Sequence, residues 1–156
     1  FNPDYKVPFS LSLQDRPYAW DQGQRMYPPN KADHPVVLVS WEDAKAFCNW
    51  AGLTLPTEEQ WEKAARGTDG RTWPWGPTSP THDTSHVGAL QGGTTPVGQY
   101  ASKGNSPYGC VDMAGNVWEW TASWYLKGQA PVLRGSSWQS LNKTNTRVAF
   151  RSYNDR

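Results

Sequence analysis

The pattern of apolar and polar residues predicts a short helix directly after Ser40. Ser40 can cap the N-terminus of this helix through its hydroxyl, and Gly52 can end it. Between these positions apolar residues recur at intervals of three and four, the period of a helix with one buried face. They are Ala44, Phe47, Cys48 and Ala51. We therefore expect this face, with Cys48 as a small buried hydrophobe, to pack against the core.

The same period returns at once in "LPTEEQWEKAARG" and predicts a second helix. Thr57 and Gln60 have the spacing of a capping box, in which each side chain bonds the other residue's backbone N–H. Gly67 can end this helix. Its apolar face consists of Trp61, Ala64 and Ala65. Two short helices therefore follow one another, joined by "LTLP".

Strands are predicted where short β-branched and aromatic runs lie between turn-forming residues. Two such runs are "PVVLV" at 35–39 and "TPVGQY" at 95–100. Three more occupy the last third of the chain: "NVWEWTASWY", "APVLRGSSW" and "TRVAFRS". Residues 1–34 have no sustained period, and we interpret them as an irregular lead-in held by Tyr18, Trp20 and Tyr27. The expected class is α+β, with two short helices, short antiparallel strands and long loops.

Composition bounds the class of protein. A chain of 156 residues fits one domain, and 10 Trp with 14 Gly and 13 Pro indicate aromatic residues packed between loops. The 15 Lys and Arg nearly balance the 14 Asp and Glu, without a basic stripe, so we do not expect a nucleic-acid partner. No apolar run reaches the roughly 20 residues that span a bilayer.

Histidine and cysteine offer little metal chemistry. His82 and His86 are four residues apart, but the surrounding Pro and Gly indicate a loop, so we expect both to face solvent. Cys48 and Cys110 match no zinc spacing.

Several separated motifs, in order, resemble the formylglycine-generating-enzyme (sulfatase-modifying factor) family. They are "HPVVLVSWEDAKAFCNWAGLTLPTEEQWEKAARG", "WPWG", "TTPVG", "SPYGCVDMAGNVWEWTASWY", "VLRGSSW" and "RVAFRS". The resemblance implies a variant of the C-type lectin fold over the single domain 1–156. The family's usual opening strand pair and closing "GFR"-like signature are not found, so we expect a fragment or a chain lacking these parts.

The resemblance also implies a copper site in catalytic members, where two cysteines follow the "RGGSW"-like motif and the enzyme oxidises a substrate cysteine to formylglycine. Here Ser140 and Asn145 fall near those positions, and 139–156 contains no cysteine. Neither a hydroxyl nor an amide replaces a thiolate on Cu(I). We therefore do not expect copper.

Calcium is the metal that the resemblance favours. One family site lies around the "GNVWEW" motif, which here offers Asn116, Val117 and Glu119 as oxygen ligands. Alternatively, Asn116 shapes the turn after Gly115 and Glu119 pairs with an arginine. A second family site, near "DTSHVG", has His86 where Asn is usual.

Aromatic residues in "WPWG" and "WEW" could stack on sugars or bases, but in a chain poor in aliphatic residues burial is the better interpretation. Trp73 and Trp75 share a face of an extended segment, as do Trp118 and Trp120. Residues 104–125 are therefore expected to form a frame rather than a pocket wall.

A binding surface is expected in the last segment, which is rich in amide and hydroxyl side chains and contains two aromatic residues. Antibody paratopes that adapt to their ligands have a similar composition. The predicted ligand-binding residues are Trp138, Gln139, Ser140, Leu141, Asn142, Lys143, Asn145, Phe150, Ser152, Tyr153 and Asn154. The expected partner is a protein or another surface ligand.

The segment also resembles the variable proteins of diversity-generating retroelements, which are mutagenised at Asn codons after "RGGSW". Most of the predicted residues are reachable from such codons, but Gln139 and Lys143 are not one-step products. Three alternatives stay open: Arg147 and Arg151 form structural salt bridges in an ordinary C-terminus, the chain is a related oxidoreductase, or it is a structural accessory module.

Overall fold

The α+β architecture predicted from the sequence is confirmed in the computed structural model, which describes Tyr18 and residues 26–88 and 92–154. Two helices precede a small antiparallel sheet, and long loops connect them. The elements are α1 (Trp41–Trp50), α2 (Glu58–Arg66), β1 (Glu119–Leu126), β2 (Ala130–Arg134) and β3 (Ser152–Tyr153). Within the described ranges, no helix has the length and apolar character needed to cross a membrane.

Both helices begin where their capping residues predict. The Ser40 hydroxyl accepts a hydrogen bond from the Asp43 N–H, and the Asp43 carboxylate accepts one from the Ser40 N–H at 2.9 Å. Thr57 and Gln60 form the same reciprocal pair at the start of α2. Each box satisfies two N–H groups that the first turn of a helix leaves without partners.

The predicted apolar face of α1 is not buried. No residue of α1 is buried, Cys48 is half-buried, and Phe47 and Trp50 are 62% and 82% exposed. The helix docks instead through Trp41, whose indole N–H donates to the Thr121 carbonyl at 2.8 Å. Helical period identifies which residues share a face, but not whether anything covers that face.

Helix α2 supplies the core, as expected. Trp61 and Ala65 are 3% and 0% exposed, and they pack with Met113 and Val148. Ala64 and Cys110 are partly buried against this cluster. The core therefore lies between α2, the "CVDMAG" loop and the residues that precede β3.

The sheet has the order β1-β2-β3, with both pairs antiparallel. All five residues of the central strand β2 are buried. Glu119 lies opposite Arg134 in the first pair, and Val132 lies opposite Tyr153 in the second. Ser152 and Tyr153 are thereby paired with the buried central strand.

Three predicted strands are absent or much shorter among the described residues. Residues 35–39 form no strand, and Leu38 has a φ of 60°, which no strand residue adopts. Residues 95–100 form no strand, and 97–100 are a turn in which the Asp112 carboxylate accepts from the Gly98 N–H. In 146–152, only Ser152 joins a strand, because a 3-10 turn over Lys143–Thr146 precedes it.

Within the predicted lead-in, residues 1–34, the structure describes Tyr18 and residues 26–34. The Tyr18 hydroxyl accepts a hydrogen bond from the Thr94 N–H at 2.8 Å, which supports its predicted anchoring role. Tyr27 is 49% exposed, so it anchors less than expected. Trp20, the third predicted anchor, lies outside the described residues.

Candidate ligand-binding surface

A buried turn at Asn116 joins the frame to the start of the candidate surface. Asn116 is 2% exposed, and its φ of 61° is in the left-handed region, which asparagine tolerates better than most residues. Its side-chain amide accepts from the Thr95 N–H and donates to the Thr95 carbonyl. Its backbone N–H donates to His86, and its carbonyl accepts from Trp138 at 2.9 Å. The predicted turn-shaping role of Asn116 is therefore confirmed.

The candidate surface is the C-terminal segment, residues 138–154, and its first half is a loop fixed by local hydrogen bonds. The Ser140 hydroxyl accepts from the Ser136 hydroxyl at 2.6 Å, and the Ser140 carbonyl accepts from the Gly88 N–H. The Asn142 side chain accepts from both the N–H and the hydroxyl of Thr144, which starts the 3-10 turn. The loop backbone is thus held while neighbouring side chains point outward.

The second half of the segment is held by aromatic contacts. The ring of Phe150 lies 6.1 Å from that of Trp118, and Tyr153 stacks on Tyr125 at 4.7 Å between ring centroids. Because Tyr153 also pairs with the central strand through Val132, its exposed ring projects from the most buried part of the sheet.

The predicted binding residues divide into two classes by exposure. Leu141 and Tyr153 are 80% and 50% exposed, so both side chains are accessible to a partner. The exposed members are Gln139, Leu141, Asn142, Lys143, Tyr153 and Asn154. The half-buried members are Trp138, Ser140, Asn145, Phe150 and Ser152. The segment thus offers six outward side chains above a partly buried base, and its role in ligand binding stays a prediction.

Sequence reasoning missed Tyr125, which it assigned to the frame. Tyr125 is 43% exposed, and it contacts both Tyr153 and Arg151, whose guanidinium lies 5.1 Å from the Tyr125 ring centroid. No local pattern in the sequence marks it, because its contact with Tyr153 depends on the order of the strands in the sheet. The rest of 104–125 is largely frame, since Met113, Ala114, Asn116 and Thr121 are buried.

The two C-terminal arginines differ. Arg151 makes a bidentate ion pair with Glu58, with N–O distances of 2.6 and 2.7 Å, so the predicted structural salt bridge is confirmed. Arg147 has no ion-pair partner among the described residues. Its guanidinium lies over the Trp73 ring at 5.9 Å. The salt-bridge prediction for Arg147 therefore has no support among the described residues.

His86 corrects the expectation that both histidines of "HDTSHVG" face solvent. His82 is exposed, but His86 is only 3% exposed. Its Nε2 is 2.6 Å from the Gly93 carbonyl oxygen, and its ring stacks on Tyr100. His86 is thus a hydrogen-bonded interior residue, and tertiary contacts that no local pattern encodes put it there.

The calcium prediction rests on Asn116, Val117 and Glu119, and two of these have other contacts. The amide oxygen of Asn116 already accepts from Thr95, and the Glu119 carboxylate accepts from the Trp61 indole N–H at 2.5 Å. Desolvation, opposed by that hydrogen bond and assisted by Asp112, raises the pKa of Glu119 to about 7. Among the described residues, the Glu119 carboxylate bonds the Trp61 indole N–H rather than an arginine, so the predicted Glu119–arginine pair is wrong.

These oxygens remain chemically suited to calcium. Within the described ranges, no cluster of three or more His, Cys, Asp or Glu side chains could hold a metal. Calcium binding by Asn116, Val117 and Glu119 stays a prediction.

Copper does not fit the residues present. Ser140 uses its hydroxyl in a bond with Ser136, and Asn145 offers only an amide. Cys48 and Cys110, each half-buried, lie in α1 and beside the α2 core. Since Cu(I) prefers soft sulfur ligands, neither polar side chain supplies the required chemistry.

Comparison with known sequences finds several relatives, two of which are described below. The chain is 44% identical over 123 residues to the inactive C-alpha-formylglycine-generating enzyme 2 of Bos taurus, covering 69% of this chain and 40% of that protein. It is 39% identical over 135 residues to the formylglycine-generating enzyme of Thermomonospora curvata, covering 76% and 40%. The chain therefore spans about two fifths of the length of these relatives.

Comparison with solved structures finds the same fold. Treponema denticola variable protein 1 superposes with a TM-score of 0.66 at 23% identity, covering 81% of this chain and 67% of that one. The family description "Sulfatase-modifying factor enzyme 1-like domain" matches residues 10–156. The chain therefore belongs to the sulfatase-modifying-factor, or formylglycine-generating-enzyme, family.

Proposed function

We propose that this domain is a non-catalytic binding protein that presents the C-terminal segment to a protein or another surface ligand. The supporting observation is that 139–156, where the copper-binding cysteines of catalytic members would lie, contains no cysteine, while its Leu141 and Tyr153 side chains are exposed. Loss of soft ligands removes the oxidase chemistry, while the held backbone keeps the outward side chains in place.

Two features support this proposal. A relative at 44% identity is itself described as inactive, so loss of catalysis is compatible with close sequence similarity in this family. The segment is also held by backbone and hydroxyl bonds from Gly88, Ser136 and Asn116, none of which requires a particular outward side chain. A surface of this kind tolerates replacement at Leu141 or Tyr153, whereas Asn142 also caps the 3-10 turn through its bonds from Thr144.

Because positions such as Leu141 and Tyr153 tolerate replacement, we also propose that a diversity-generating retroelement diversifies the segment. Variation confined to outward side chains changes the ligand without changing the core. The eleven predicted binding residues contain both the exposed positions that would vary and half-buried positions, such as Trp138, that support them.

An oxidoreductase is the second candidate, and the 39% identity to the formylglycine-generating enzyme of T. curvata favours it. This alternative requires metal ligands other than Ser140 and Asn145. The chain spans two fifths of that relative, so the activity of the whole enzyme cannot be transferred to it directly.

Copper-dependent oxidation of a cysteine-containing peptide distinguishes the two. We expect the wild-type domain, supplied with Cu(I) and oxygen, to form no formylglycine detectable by mass spectrometry and to bind no stoichiometric Cu(I). The double variant Ser140→Cys/Asn145→Cys is expected to gain Cu(I) binding, because it restores two thiolates. The matched control Ser102→Cys/Asn49→Cys places two thiols at exposed positions elsewhere. Formylglycine produced by the wild type would contradict the proposal.

A further inference from the structure

The charges of the C-terminal segment have one sign. Three of the 15 basic residues of the chain lie in 138–154, namely Lys143, Arg147 and Arg151, and none of its 14 acidic residues does. The chain as a whole carries a formal charge of only +1. The excess of positive charge is therefore local to the candidate surface.

Two of these cations have no carboxylate partner among the described residues. Lys143 is exposed and donates to the Pro80 carbonyl at 2.9 Å, and Arg147 is exposed over the Trp73 ring. Elsewhere, Lys103 pairs with Asp83 and Arg71 pairs with Asp69, at 2.8 and 2.7 Å. Lys143 and Arg147 thus keep positive charge available to a partner.

Contacts beneath the segment keep these groups in place along its course. Lys143 contacts Pro80, and Arg147 contacts Trp73. Arg151 contacts both Glu58 and Tyr125. The first two contacts orient a cation without neutralising it, whereas Glu58 neutralises Arg151. The segment therefore has two parts. Lys143 and Arg147 form a positively charged part without carboxylate partners among the described residues, and the aromatic part beside Arg151 is neutral.

The aromatic part is a platform made by Tyr125 and Tyr153. Their rings stack at 4.7 Å and remain 43% and 50% exposed, and Arg151 packs on Tyr125. Stacked rings that are anchored to a sheet lose little conformational entropy when a ligand covers them. Tyrosine supplies apolar contact area together with a hydroxyl, the combination common at protein interfaces.

We propose that the partner is a protein surface in which carboxylates accompany an apolar or aromatic side chain. The carboxylates contact Lys143 and Arg147, and the apolar side chain lies on the Tyr125–Tyr153 platform. This inference rests on the proposed binding function and names the chemistry of its ligand. Nucleic acid fits less well, because affinity for a phosphate backbone typically requires many cationic contacts, whereas this surface has two unpaired cations.

Selection from a phage-displayed library of random 12-residue peptides tests the inference with the folded domain as bait. We expect the selected peptides to contain about twofold more Asp and Glu than the unselected library, together with an aromatic or aliphatic residue. The variant Lys143→Gln/Arg147→Gln is expected to bind them about tenfold more weakly, and added salt is expected to reduce wild-type binding. The variant Tyr153→Ala is also expected to weaken binding.

The matched control is Lys45→Gln/Lys63→Gln, which removes the same charge from exposed positions on α1 and α2. It is expected to bind within about twofold of the wild type, since charges distant from a contact are largely screened. Selected peptides that are neutral or basic but depend on Tyr153 would overturn the inference and leave the binding function standing. Peptides unaffected by any substitution in 138–154 would overturn the binding function itself. If heparin or single-stranded DNA bound more tightly than the selected peptides, and this binding required Lys143, the partner would be a polyanion rather than a protein surface.

Discussion

Replacing Gly115 by alanine is expected to lower the free energy of unfolding by about 3 kcal/mol, because two costs coincide there. Gly115 has a φ of 96°, which strains any residue with a Cβ. A Cβ at this position would also lie 2.5 Å from the His86 carbonyl oxygen and 2.9 Å from a Val87 methyl group. Since the Gly115 N–H donates to the Gly135 carbonyl, the turn cannot move away without losing that bond.

Urea denaturation of Gly115→Ala and of Gly70→Ala measures the effect and separates its causes. Gly70 has a φ of 71°, but a Cβ there meets no atom within 4 Å. Its substitution should therefore cost only the backbone strain, about 1 kcal/mol. Equal losses for the two variants would show that the approach of His86 to Gly115 does not constrain the frame.

Replacing Arg134 by methionine is expected to destabilise the fold by about 3 kcal/mol, the usual range for breaking a buried ion pair. Arg134 is 0% exposed in the central strand, and its guanidinium donates to Glu62 and to the Val148 carbonyl, both at 2.6 Å. The same group lies 5.1 Å from the Trp61 ring centroid. The substitution leaves the Val148 carbonyl without this donor and Glu62 without this cation.

Arg151→Met is the matched control, because it breaks an arginine–glutamate pair at the surface. The Arg151 side chain is 44% exposed, and solvent screens its bidentate bond to Glu58. We expect a loss below about 1 kcal/mol, measured from the shift in the urea midpoint at unchanged slope. A loss equal to that of Arg134→Met would contradict the assignment of Arg134 as the ion-paired centre of the core.

Local signals predicted the two helices well. Ser40, Thr57, Gln60 and Gly67 act within one turn of the chain, so their spacing alone is informative. The strand-like runs around Glu119 and Val132 were also correct, because β1 is rich in aromatic residues and β2 is a short apolar run beside a turn.

Predictions that depended on distant contacts were wrong. The run at 35–39 has the composition of a strand, but Leu38 adopts a left-handed conformation. The interior place of His86 depends on Gly93 and Tyr100, which no periodicity connects to it. The exposure of Phe47 on α1 follows from docking through Trp41 rather than through the apolar stripe.

The candidate surface was predicted in part from local sequence, and the rest of it depends on tertiary contacts. Composition indicated 138–154, because amide, hydroxyl and aromatic residues are concentrated there. Sequence alone could not add Tyr125, since its contact with Tyr153 requires the antiparallel order of β1, β2 and β3. It also could not separate the neutralised Arg151 from the uncompensated Arg147.

We propose that the outward side chains of 138–154 vary between copies of this protein while the frame stays constant. Deep sequencing of the gene's 3′ end across many cells of the source population tests this proposal. We predict substitutions concentrated between Ser140 and Asn154, at exposed positions such as Leu141 and Tyr153, with Trp138 and the "GNVWEW" motif unchanged. A segment that is invariant, or that varies no more than the frame, would contradict the claim.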